Sequence, residues 1–173
     1  MSSSEWRRKL LLAFGALVLP VGLGGCIQPL YSSLGSGGLE RELQAIKIEP
    51  IPDRFGHYLE KELLFAFNGT GEQVPPKYRL VVTLKQKVTA PTIDTVTGRA
   101  TSATVIGDAD YKLYPVGQTQ PSMEGVAFAV AGYDRFSQRV SNVRAARDAE
   151  VRDAKAMAEQ IRTQVAARFA SGG

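Results

Sequence analysis

The 173-residue chain holds one cysteine, Cys26, and one histidine, His57. A lone thiol cannot close an intramolecular disulfide, so the fold must rest on its apolar core. A lone imidazole cannot supply a metal site built from several ligands at fixed spacing, so no metal is expected. The G-x-S-x-G elbow and the H-E-x-x-H helix are both missing. Gly35-Ser36-Gly37-Gly38 is no phosphate loop, because no strand precedes it and no Lys-Ser/Thr follows. Charge of one sign is scarce as well. The formal net charge is +4, and removing residues 1–25, with Arg7, Arg8, Lys9 and Glu5, lowers it to +2. That balance carries no nucleic-acid footprint. Asp108 and Asp110 lie two apart on one strand and read as solvent-facing residues, since acid–base work needs a pocket and a shifted pKa. The chain is therefore expected to be no enzyme and to need no cofactor.

What is there begins with a targeting signal. Arg7, Arg8 and Lys9 form a positive n-region, and an apolar run follows from Leu10 to Leu23. The run is short of the roughly 20 residues a membrane span needs and suits a secretory h-region. It ends in Leu23-Gly24-Gly25-Cys26, which resembles the lipobox of bacterial lipoproteins. That resemblance implies cleavage before Cys26, a diacylglycerol on its sulfur and an N-acyl chain on the new amine. Several acyl chains anchor stably, because each buried CH₂ contributes about 0.8 kcal/mol. Ile27, rather than Asp, follows the cysteine, and in lipoproteins of this kind that implies delivery to the outer membrane.

The mature chain, Cys26 to Gly173, is one domain's worth. Residues 26–44 read as the lipidated N-terminus and a Gly/Ser-rich tether, and residues 45–170 as a single domain. The twelve residues from Ile27 to Gly38 span at most about 40 Å when extended. Ile46 and Ile48 mark a short strand stopped by Pro50 and Pro52. Asp53 suits an N-cap, Phe55, Leu59, Leu63 and Phe67 recur at helical spacing, and Asn68-Gly69 stops the helix. Tyr78, Leu80, Val82 and Leu84 alternate as a strand with one buried face. A second long strand puts Ala103, Val105, Ala109, Tyr111 and Leu113 on one face, and Val126, Phe128 and Val130 mark the next strand. A helix from about Asn142 to Ala170 carries an apolar stripe through Ala154, Met157, Ile161 and Val165. The expected fold is α+β in the order β-α-β-β-β-α, a mostly antiparallel four-stranded sheet with two helices packed on one face.

Several segments together resemble LptE, the LPS-assembly lipoprotein family. They are Pro29-Leu30-Tyr31 after the lipobox, Ile51-Pro52-Asp53-Arg54-x-Gly56-x-Tyr58-Leu59, Tyr78-Arg79-Leu80-x-Val82-x-Leu84, and Ala158-Glu159-Gln160-Ile161-Arg162 in the closing helix. The resemblance spans the mature chain and rests on the order and spacing of these pieces. It implies a lipid-anchored, periplasm-facing outer-membrane protein that plugs the LptD β-barrel, helps it assemble and binds lipopolysaccharide in transit. It implies the same small sheet with two helices.

Two sets of residues are expected to carry such a role. In a meander, Lys85, Lys87, Arg99, Arg135 and Arg139 gather at one end, where arginines can grip the phosphates of lipopolysaccharide. Thr83, Ser102 and Thr104 lie on the sheet face away from the helices, and small polar side chains suit the lumen of a barrel. Two alternatives stand beside this reading. One is an outer-membrane lipoprotein module that binds peptidoglycan or another envelope protein, and the other is a small hydrolase.

Overall fold

The computed structural model describes residues 38–69, 74–90 and 101–171. The signal 1–25, Cys26, most of the tether and Arg99 lie outside the described residues. Three helices and four strands follow in the order α1 (Gly38–Gln44), β1 (Ile46–Ile48), α2 (Asp53–Asn68), β2 (Tyr78–Thr89), β3 (Ser102–Pro115), β4 (Met123–Asp134) and α3 (Arg139–Ala170). All belong to one compact unit, Gly37–Gly173, whose core is its own.

The domain begins earlier than the composition suggests. Gly38 to Gln44 is about two helical turns rather than tether, because Leu39 and Leu43 sit four apart and both are buried in the core. The chain then passes straight into β1, where Ile46 and Ile48 point inward and Lys47 outward. Pro50 and Pro52 end the strand. α2 places Phe55, Leu59, Leu63 and Phe67 in the core at four-residue intervals. Asp53 does not act as its cap. It is the first helical residue, with a left-handed φ of 69°, and its carboxylate is exposed. The helix ends at Gly69, whose N–H donates to Phe65 O at 2.8 Å.

β1, β2, β3 and β4 lie side by side in that order. β1 runs parallel to β2 after the α2 crossover, and β2, β3 and β4 form an antiparallel meander, so the sheet is mixed. The register sets Leu80 beside Leu113, Leu84 beside Ala109 and Ala109 beside Ala127. These residues line the inner face, against which α2 and α3 pack.

β4 faces the opposite way from what its large side chains suggest. Ala127, Ala129 and Ala131 point to the helices and are buried, whereas Val126, Phe128 and Val130 point outward. The reason is close approach. α3 presents Ala149, Ala154 and Ala158 to the sheet, and small residues on both sides bring helix and strand together. Gly107 makes room in the same layer: a Cβ there would lie 2.9 Å from both Phe55 Cζ and Met157 Cε. α3 also starts at Arg139, three residues before the periodicity places it. Asn142 Nδ2 donates to Phe136 O at 2.7 Å, and the Phe136 N–H donates to Asn142 Oδ1 at 2.6 Å, which fixes the turn into the helix.

Candidate functional site

The two long helices cover one face of the sheet, and among the described residues the other face is bare. Thr83, Ser102 and Thr104 all lie on the bare face, with Thr83 opposite Asp110 and Thr104 between Thr89 and Gly132. The face is not uniformly polar. Val126, Phe128 and Val130 form an apolar row along β4, each 50–57% exposed. Sequence reasoning missed this row because it took the three residues only as strand markers. The signal was the alternation of alanine with large apolar residues ahead of an alanine-rich helix. Beside the row, Lys85 Nζ reaches Asp110 Oδ2 at 3.4 Å and Lys112 Nζ reaches Glu124 Oε1 at 3.2 Å, both solvent-exposed cross-strand pairs.

Lys87, Arg135 and Arg139 come to one end of the domain, where β2 and β4 finish and α3 begins. The Arg135 N–H donates to Thr101 O at 2.8 Å, which anchors its backbone beside the start of β3. Lys85 stands two residues further in along β2 and is engaged by Asp110. None of Lys87, Arg135 and Arg139 forms an ion pair with another described residue.

β4 is an edge strand, and α3 occupies much of its free side. Gln160 clasps Phe128: the Phe128 N–H donates to Oε1 at 3.1 Å, and Nε2 donates to Phe128 O at 2.9 Å. Gln164 Nε2 donates to Val126 O at 3.2 Å, and Arg152 Nη2 donates to Gly132 O at 3.0 Å. Main-chain groups that would otherwise template another strand are thereby taken up by side chains.

Two carboxylates are buried in α3. Glu150 is held by a fork from Arg54, Nε to Oε2 at 3.0 Å and Nη2 to Oε1 at 2.7 Å, and by Gln86 Nε2 at 3.1 Å. The hydrogen bond from Arg54 to this carboxylate raises the pKa of the guanidinium. The network ties α2 and β2 to α3 and is structural. Asp153 is different. Burial pushes its pKa up to about 6, against a backbone hydrogen bond from Ala131 and the charge of Arg152, and its Oδ2 has no partner. Burial also raises the pKa of Tyr111, whose hydroxyl donates to Gln164 Oε1.

His57 is exposed on α2. Among the described residues no three His, Cys, Asp or Glu side chains group to hold a metal ion. A cleft of about 400 Å³ between β1 and α2 is lined by Gln44, Ile46, Lys47, Ile48, Leu64, Asn68, Val74 and Pro76, and these lining residues include no carboxylate, hydroxyl, thiol or imidazole. No helix among the described residues is long and apolar enough to cross a membrane.

This arrangement, two long helices on one face of a four-stranded mixed sheet, is a fold found in bacterial lipoproteins. A chain from Caulobacter crescentus CB15 assigned as a lipoprotein superposes with a TM-score of 0.65 at 19% identity, over 79% of this chain and 98% of its own. A minor lipoprotein from Acinetobacter baumannii superposes with a TM-score of 0.54 at 15% identity, over 72% and 91%. At such identities the likeness is one of fold. No protein-family model matches the chain, and no curated protein matches it significantly.

Proposed function

We propose that the chain is an outer-membrane lipoprotein of the lipopolysaccharide transport machinery, lipidated at Cys26 and working by contact rather than by catalysis. Its bare sheet face seats against an LptD-like β-barrel, which it plugs and helps to assemble, and its basic end meets lipopolysaccharide in transit. The observation that carries this reading is the uncovered face, where the row Val126, Phe128 and Val130 lies beside Thr83 and Thr104. Exposed apolar rows rimmed by polar residues mark surfaces that another macromolecule covers. The fold shared with solved lipoproteins and the lipobox at Leu23 to Cys26 support the anchored setting.

The contact is tested by isolating the processed lipoprotein from native membranes. One large β-barrel is expected to accompany the wild-type protein and to be lost from Phe128→Asp, a substitution at a half-exposed position that leaves the core intact. Retention of the barrel by the variant would remove this face as the contact. For the ligand, neutralising Lys87, Arg99, Arg135 and Arg139 together is expected to weaken lipopolysaccharide binding at fixed salt by tenfold or more, since each charged hydrogen bond contributes roughly 1.5–3 kcal/mol. Unchanged affinity in a folded variant would overturn the basic-end reading.

A further inference from the structure

The apolar stripe that α3 buries against the sheet does not stop where the sheet stops. Ile161, Met157, Ala154 and Glu150 recur at alternating spacings of four and three and are all buried. Carried towards the N-terminus, the same spacing continues through Arg147, Val143 and Val140. No residue from Arg139 to Asp148 is buried, so this part of the helix stands beyond the core. Val140 is 66% exposed and Val143 43%. They continue the core-facing spacing yet are both exposed.

β2 supplies the other lip. Gln86 on β2 is bonded to Glu150 on α3, which sets that row of the strand against that turn of the helix. Val88 is the next inward-facing residue of β2, one row further out, and it is 55% exposed. Phe136, pinned by Asn142 at the start of α3, is 58% exposed. Among the described residues the core is therefore open at this end, and its mouth is apolar.

The surroundings are cationic. From Asp134 to Arg147 there are four arginines, at 135, 139, 144 and 147, against one carboxylate, Asp134. The next acid, Asp148, is bonded to Arg152 at 2.9 Å. An occupant must be apolar where it meets Val88, Val140 and Val143, and anionic within the reach of an arginine. An acyl chain next to a phosphate meets both demands, because the chain gains by leaving water and the phosphate by bidentate hydrogen bonds.

We infer that this open end of the core takes up an acyl chain of a phosphorylated lipid, with Val88, Phe136, Val140 and Val143 against the chain and Arg144 and Arg147 on its headgroup. The inference rests on the reading that the basic end binds lipopolysaccharide and assigns it a second, apolar half. The site then recognises the lipid portion of the ligand as well as its charge.

The test uses the mature chain from residue 26 onward, produced without its own acyl groups, and two probes: intact lipopolysaccharide and the same molecule fully deacylated with its phosphates retained. The wild type is expected to bind the intact form at least tenfold more tightly. Val140→Ser with Val143→Ser is expected to erase that preference, leaving affinity for the deacylated form unchanged. Arg144→Gln with Arg147→Gln is expected to weaken both. Circular dichroism checks that each variant is folded, as these exposed positions predict. Equal affinity of the wild type for both probes, or a preference untouched by the double serine variant, would overturn the acyl site while leaving lipopolysaccharide binding in place. Binding of neither probe would overturn both.

Discussion

Asp153 lies buried on α3 with one carboxylate oxygen unpaired, and burial holds its pKa up at about 6. A carboxyl whose folded pKa exceeds its unfolded one binds more protons in the native state between the two values. Stability must therefore be greatest below pH 4 as far as this group is concerned, must fall as pH rises through about 6, and must level off above that. Asp153→Asn removes the buried charge, keeps an oxygen for the Ala131 amide, and is expected to stabilise the domain at pH 7.5 by on the order of 1 kcal/mol. Urea denaturation of both proteins at pH 4 and pH 7.5 checks it, and the gain should shrink at the lower pH. Glu150 shows why the two acids differ. Its charge is matched by the Arg54 fork and by Gln86, whereas Asp153 has no such match. Sequence patterning places both acids on the helix but cannot say that both turn inward, because the stripe there alternates alanine with charge.

The pairing of α3 with β4 is the feature that patterning reads least well at the scale of elements. The inner faces of β2 and β3 are legible from Leu80, Val82, Val105, Tyr111 and Leu113, since large apolar residues there point to the core. On β4 the rule inverts, because tight helix packing selects alanine for the inner face and frees valine and phenylalanine for the outer one. α1 escaped notice for a related reason. Leu39 and Leu43 follow a Gly/Ser run, and two leucines in seven residues are too few to reveal a period. Of the candidate site, the gathering of Lys87, Arg135 and Arg139 at one end follows from a meander and was legible; the apolar row on β4 was not. The clasp of Gln160 on Phe128 is a further consequence of this packing. Gln160→Ala is expected to cost about 1 kcal/mol in stability. It should also release the Phe128 amide and carbonyl on the edge beside exposed valines, so that the variant self-associates at concentrations where the wild type stays monomeric. Sedimentation velocity distinguishes the two.

At the scale of the whole molecule, the core runs from Leu39 to Ala166 and is drawn from every helix and strand. The domain is therefore expected to need its first helix. A chain beginning at Ala45 loses two leucines that are almost wholly buried, each contributing roughly 1.5–3 kcal/mol, and should unfold at lower urea than a chain beginning at Gly38 by about 3 kcal/mol of stability. An unchanged midpoint would mean that α1 only rests on the surface. The helices cover one side of the sheet, so among the described residues the apolar row of β4 looks outward from the other side, and Val88, Val140 and Val143 look outward at the end where α3 begins.

The order of the chain adds a consequence for how the protein is made. The glutamines and the arginine that occupy the rim of β4 belong to α3, which follows β4 in sequence. While the polypeptide is delivered N-terminus first, the meander is complete before its guard arrives, and a sticky margin of valine, phenylalanine and unpaired amides faces the surroundings. Premature termination or slow docking of that last helix would leave this margin available to neighbouring chains, so yield should depend on how quickly α3 folds back.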